Sequence, residues 1–199
     1  MVDSNYEFLY IDVGSNGRMN VASIFGASRL KTAVESNTLR FPDWGVLVGD
    51  DAVPLKTYLM KPYSRNGMTQ KEKIFNYRLA RARRISENAF GILVSRFRIF
   101  LRGIEVSPDK VDYIVRTTCA LHNWLRRTSA NTYIPPGTTD YEDIDTGNII
   151  PGSWRKDVAN NQVLQPGHSW TSHNYSKGAA TRRDNYAEYF MNDGAVDWQ

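Results

Sequence analysis

The stretch Lys71–Arg102, KEKIFNYRLARARRISENAFGILVSRFRIFLR, decides how this chain is read. Phe75, Leu79, Ala82, Ala89, Phe90, Leu93, Phe97 and Phe100 recur at three- and four-residue steps, which predicts one long helix with a single core-facing stripe. Nine Lys/Arg stand against two acids in it, Glu72 and Glu87. Glu87 sits among Arg78, Arg81, Arg83 and Arg84. One reading is a helix ion pair between Glu87 and Arg83 or Arg84. The other is chemistry on a polyanion: Arg78, Arg81 and Arg84 as DNA-contact candidates meeting phosphates, and the carboxylate holding a cation.

Upstream, YEFLYIDV at Tyr6–Val13 predicts a strand, and GSNG at Gly14–Gly17 a turn. Ala22–Glu35 has the spacing of one or two short helices. GVLVG at Gly45–Gly49 is a short apolar strand that runs into Asp50, and a loop with Pro54, Pro62 and Gly67 follows. Downstream, Ser107 as N-cap and Pro108 at the first helical position predict a helix through Leu125, with a stripe of Val111, Ile114, Val115, Thr118, Leu121, His122 and Leu125. Ser129–Ser176 has no sustained period and reads as loop. Thr181 with Asp184 resembles a capping box before a short helix through Tyr186, Tyr189 and Phe190, ended by Gly194. The order β–α–β–α–α implies an α/β fold, with helices covering a mixed or parallel sheet.

Charge sets the expected organisation. The 199 residues carry a formal charge of +4, yet Thr128–Gln199 holds nine acids and five Lys/Arg. That shift, with the rise in Gly, Asn, Thr and Ser, places a boundary near Arg127. The expectation is a domain over 1–127 and a polar, largely irregular extension over 128–199 with a short terminal helix. No stretch has the length of a membrane span, and the N-terminus lacks the order of a signal peptide, so neither a membrane nor secretion is expected. The single Cys119 excludes an intrachain disulfide and fits a reducing compartment. One Cys and three scattered His (His122, His168, His173) do not make a usual structural zinc site. His122, on its helix stripe, reads as a core histidine, and Cys119 as an inert buried thiol. The five Trp read as core or tail anchors. Arg96, Arg98 and Arg102 form either a solvated face or a DNA track.

Asp50 is the strongest single chemical candidate. Open α/β sheets place ligands outside the carboxyl ends of strands, and an acid there needs a cleft, a cation or a cap partner. The plainer alternative is that Asp50 or Asp51 opens a turn before Pro54. Asp50 and Glu87 together offer a hard cation oxygen ligands without His or Cys. Two-metal phosphoryl-transfer sites cluster such carboxylates around ions about 4 Å apart.

Four ordered stretches carry a family resemblance: YIDVGSNGRMN, VLVGDDAVPLKTYLMKPY, FNYRLARARRISENAFGILVSRFRIF and IVRTTCALHNWLRR, with YFMNDGAVDWQ at the end. Together they resemble the catalytic domain of PIF/Harbinger-type DDE transposases and the nucleases derived from them. The resemblance covers most of 3–127 and returns at the end of the chain. It implies an RNase H-like fold and a site of two Asp and one Glu binding Mg²⁺ or Mn²⁺. The second Asp falls on Asp50 and the Glu on Glu87, so both are expected as catalytic and metal-binding residues. The family's first Asp precedes the stretch that Met1 opens; Asp12 belongs to the following motif and is not its counterpart. Val21 stands where family members usually carry Asp. The expectation is a truncated or decayed copy, lacking its first strand or strands and inactive as it stands.

The resemblance also implies a nuclear location, and otherwise a cytoplasmic one, and a Myb-like DNA-binding partner protein. With no helix-turn-helix or zinc finger in the chain, binding to DNA is expected to be weak and non-specific. Two functions compete. One is a metal-dependent endonuclease or transposase fragment acting on DNA phosphodiesters. The other is a domesticated, non-catalytic module that binds DNA or protein, which the missing Asp favours. A chain that does not fold stably is a third outcome, since a lost strand exposes a sheet edge.

Overall fold

The structure is a computed structural model and describes residues 1–15, 19–158 and 175–197. In chain order its elements are α1 (Val21–Ala27), α2 (Arg29–Glu35), β1 (Leu47–Val48), β2 (Leu59–Met60), α3 (Gln70–Arg96), a 3-10 helix (Arg98–Leu101), α4 (Pro108–Thr128), α5 (Ala130–Tyr133), β3 (Tyr141–Glu142), β4 (Ile149–Ile150), α6 (Trp154–Val158) and α7 (Lys177–Met191). This is an α/β arrangement in which helix predominates and the sheets are small. The chain forms two compact units: residues 1–15 with 84–166, and residues 16–83 with 167–199. Residues 70–83 of α3 belong to the second unit and 84–96 to the first.

In the second unit, β1 and β2 run parallel, with Leu47 opposite Leu59 and Val48 opposite Met60. The core is Leu55, Met60, Tyr63, Phe75, Leu79, Ala179 and Ala187, so β2, the start of α3 and α7 share one apolar cluster. A capping box starts α3. Glu72 Oε2 accepts from the Thr69 backbone N–H at 2.8 Å, and Thr69 Oγ1 accepts from the Glu72 N–H at 3.3 Å. The terminal helix begins earlier than Thr181 and Asp184 suggest. Ser176 caps it by accepting from Ala179 N–H at 3.2 Å, and Thr181 lies inside it.

In the first unit, Phe8, Ala89, Leu93 and Cys119 form one cluster, and Val94, Leu101, Trp154 and Val158 another. Tyr6–Val13 does not form the expected strand. Tyr6 takes a left-handed φ of 66°, which breaks an extended run. Only an isolated bridge between Val2 and Phe8 remains. Side chains of α4 take over the work of a neighbouring strand. Asn123 accepts from Phe8 N–H at 2.8 Å and donates to Phe8 C=O at 2.9 Å. His122 Nε2 lies 2.8 Å from Tyr6 C=O, and Nδ1 lies 2.9 Å from the Tyr133 hydroxyl. A carbonyl only accepts, so Nε2 carries the proton and the neutral ring accepts from Tyr133 at Nδ1. His122 is therefore a satisfied core histidine, with its pKa lowered chiefly by burial.

The long helix ends sooner than its apolar pattern suggests. It stops at Arg96, and a tighter 3-10 turn follows. There Leu101 is buried with Trp154 and Val158, a tertiary contact that local periodicity does not contain. Ala82 and Phe90, expected on the stripe, are exposed, and so is Leu121 on α4. Around residues 88–94 α3 is buried nearly all round: Asn88, Ala89, Gly91, Ile92, Leu93 and Val94. Trp154 is the reason, because a Cβ on Gly91 would lie 2.3 Å from its ring. Trp154 is thus a core anchor, whereas Trp44 and Trp124 are exposed. Ser129–Ser176 is not all loop: α5, the antiparallel β3–β4 pair and α6 occupy its first part. Its remainder, with His168, His173 and Trp170, lies outside the described residues, as do Trp198 and part of the GSNG turn.

Candidate functional site

Asp50 follows β1 directly. Gly49 N–H donates to Met60 C=O at 2.9 Å, the last rung of the parallel pair. A Cβ on Gly49 would lie 2.6 Å from Val53, so glycine permits the sharp turn there. Asp50 Oδ1 accepts from Ala52 N–H at 3.0 Å. The carboxylate therefore opens a turn and also lines a cavity of about 490 Å³ in the second unit. Asp51, Lys61, Arg65, Arg83 and Arg183 share that cavity. Lys61 continues from β2 and is buried, donating from Nζ to Asp51 C=O at 2.7 Å. Burial lowers its pKa most; Asp51 and Asp50 raise it, and Arg183 lowers it further. Tyr63 donates to Asp184 at 2.5 Å, and burial together with that carboxylate raises its phenol well above the usual range.

Glu87 lies in the first unit, exposed on α3. The next residue, Asn88, is 2% exposed and anchors a polar network. Its Nδ2 donates to Asp140 C=O at 3.1 Å, and its Oδ1 accepts from Asp140 N–H at 2.8 Å and from Trp154 Nε1 at 2.9 Å. The buried Asp140 carboxylate accepts from Gly152 N–H at 2.7 Å and, bidentately, from Arg155 Nε at 2.8 Å and Nη2 at 2.5 Å. Burial alone would raise the Asp140 carboxyl, but the Arg155 and Gly152 donors hold it below its ordinary value. The Arg155 guanidinium is raised chiefly by Asp140, with a smaller contribution from Glu87.

The candidate phosphate-contacting arginines are all engaged. Arg84 pairs with Glu142 at 3.1 Å, its side chain 14% exposed. Arg78 stacks 4.7 Å over the Phe190 ring, and Arg81 is half-buried in the second unit.

Sequence reading missed the other parts of both sites. Lys61 is a lone cation in the apolar run YLMKPY, and Arg182-Arg183 is a basic pair in an acidic tail. Asn88, Asp140 and Arg155 carry no local signal, because their network closes across 52 and 15 positions.

Residues 1–123 match the family model of the DDE superfamily endonucleases, and the chain belongs to that family. No curated protein and no solved structure is significantly similar to it. DDE endonuclease domains typically use divalent metals, and membership points to metal-dependent nuclease or transposase-derived function. Asp50 and Glu87 are of the right donor type, hard oxygen. Their number falls short: among the described residues no group of three or more His, Cys, Asp or Glu is placed to hold a metal. Lys61, Arg65 and Arg183 line the same cavity as Asp50 and Asp51, so cations compete there with any bound metal ion. These residues do not fit a complete two-metal centre. Among the described residues no helix is long and apolar enough to cross a membrane.

Proposed function

We propose that this chain is a Harbinger-type, transposase-derived DDE endonuclease domain that binds DNA through its phosphates without cutting it. In this reading Asp50 and Glu87 correspond to two of the family's three acids, each offering the hard oxygen donors that Mg²⁺ or Mn²⁺ takes. The observation that carries the binding half is the cavity at the end of β1, where Asp50 stands among Lys61, Arg65 and Arg183. Such a surplus of cations meets phosphate oxygens, and base edges are left unread. The second reading is a domesticated, non-catalytic module that binds DNA or protein and in which metal plays no part. Nuclear location and a Myb-like partner that supplies sequence specificity belong to the same proposal.

The test is titration of duplex DNA at two ionic strengths. Affinity should fall by at least about tenfold between roughly 50 and 200 mM salt, and sequence should matter little. No binding at the lower salt, or tight binding that ignores salt, overturns the reading.

A further inference from the structure

The 490 Å³ cavity beside Asp50 holds more positive charge than its own acids answer. Arg183, on α7, is 7% exposed, and its Nε has no hydrogen-bond partner among the described residues. Its other contacts are weak acceptors, among them the Tyr175 ring, whose centroid lies 5.5 Å from Cζ. Pro62 C=O lies 3.4 Å from Nη1, and the Tyr63 ring centroid lies 3.8 Å from Cζ, a cation–π contact. Lys61 is equally buried and satisfied by a single backbone carbonyl. Neither cation lies within ion-pair distance of a carboxylate among the described residues, and Asp184, next to Arg183 in the chain, is taken by the Tyr63 hydroxyl. Two buried cations beside an open cavity are costly unless an anion balances their charge.

We propose that this cavity is a phosphate-binding subsite for a nucleic-acid strand, built by Lys61, Arg65 and Arg183. Arg183 and Lys61 line the cavity and set two positive charges beside it, and exposed Arg65 adds a third. Arg183 lies beyond residue 123, so the terminal helix completes a pocket that the family-matching part only begins. The inference takes the strand from the DNA-binding reading above; the anion chemistry stands on the cavity.

The test uses the full chain with chelator present, so that metal plays no part. Anisotropy of a labelled single-stranded oligonucleotide, with and without a 5′-phosphate, is measured for wild type, Lys61→Met, Arg65→Ala and Arg183→Gln. Arg116→Ala, an exposed charge on α4, serves as control. Lys61→Met and Arg183→Gln should weaken binding about tenfold and Arg65→Ala roughly threefold, while Arg116→Ala changes it little. Replacing a buried charge by an apolar side chain of similar shape leaves stability level or higher, so Lys61→Met should bind worse yet melt no lower. If Arg183→Gln fails to fold, Lys61→Met and Arg65→Ala decide. A preference for the 5′-phosphorylated strand assigns the pocket to strand ends, and equal binding assigns it to the backbone. Oligonucleotide binding that is equal in every variant overturns the subsite and leaves the DNA-binding reading intact. Inorganic phosphate that raises the melting temperature of wild type but not of Lys61→Met, with no oligonucleotide binding, keeps the anion pocket and overturns the strand.

Discussion

Asn88→Ala tests the packing around the helix that carries Glu87. The side chain is 2% exposed and makes three hydrogen bonds, two with the Asp140 backbone and one with Trp154 Nε1. All three partners are themselves buried, so truncation leaves an N–H, a C=O and an indole N–H without partners. Each orphaned buried group costs about 1–3 kcal/mol, which gives roughly 3–9 kcal/mol for the three. Against a typical stability of about 5–15 kcal/mol, that is a large share. Urea unfolding followed by far-UV circular dichroism measures it. Trp154→Phe removes a single donor and leaves Asn88 Oδ1 its bond from Asp140, so it should cost only about 1–2 kcal/mol. An Asn88→Ala cost below about 1 kcal/mol, or equal costs for the two variants, would refute the network as the clamp on α3.

Gly91→Ala should destabilise the protein by about 1–3 kcal/mol or more in the same assay, because the new Cβ meets the Trp154 ring at 2.3 Å. Asp140 is held below its ordinary pKa, so its stabilisation is present above the unfolded value of about 4 and is lost as pH falls through the folded value. Wild type should therefore lose more stability on acidification below about pH 4 than Asp140→Asn does, as acid titrations of the melting temperature would show. His122 is also lowered by burial, so the unfolded chain takes up its proton first. Stability should decline as pH falls below about 6.5, and His122→Gln should flatten that part of the profile.

What the sequence revealed follows from how far each interaction reaches along the chain. The β1 strand, the α1–α2 pair, the body of α3 and the Ser107–Pro108 start of α4 rest on local periodicity and caps, and the structure has them. The Tyr6–Val13 strand failed because its backbone partners are Asn123 and His122, more than a hundred residues away. The burial of Leu101 just past the end of α3 involves Trp154 and Val158, more than fifty residues on, which local periodicity does not contain. Asp50 and Glu87 stand out in the sequence through the family resemblance, and the plasmid assay below tests their role. Lys61 and Arg183 carry no such mark, because a cation in an apolar run and another in the tail come to line one cavity only after β2 and α7 share a core.

Incubating supercoiled plasmid with the chain and Mg²⁺ or Mn²⁺, alongside Glu87→Ala, tests the central claim most directly. A DDE-family domain that binds phosphates without a complete carboxylate set should retard the plasmid and leave it uncut, with wild type and Glu87→Ala alike. Metal-dependent nicking by wild type that Glu87→Ala abolishes would contradict this, and would show that these 199 residues carry a working catalytic centre.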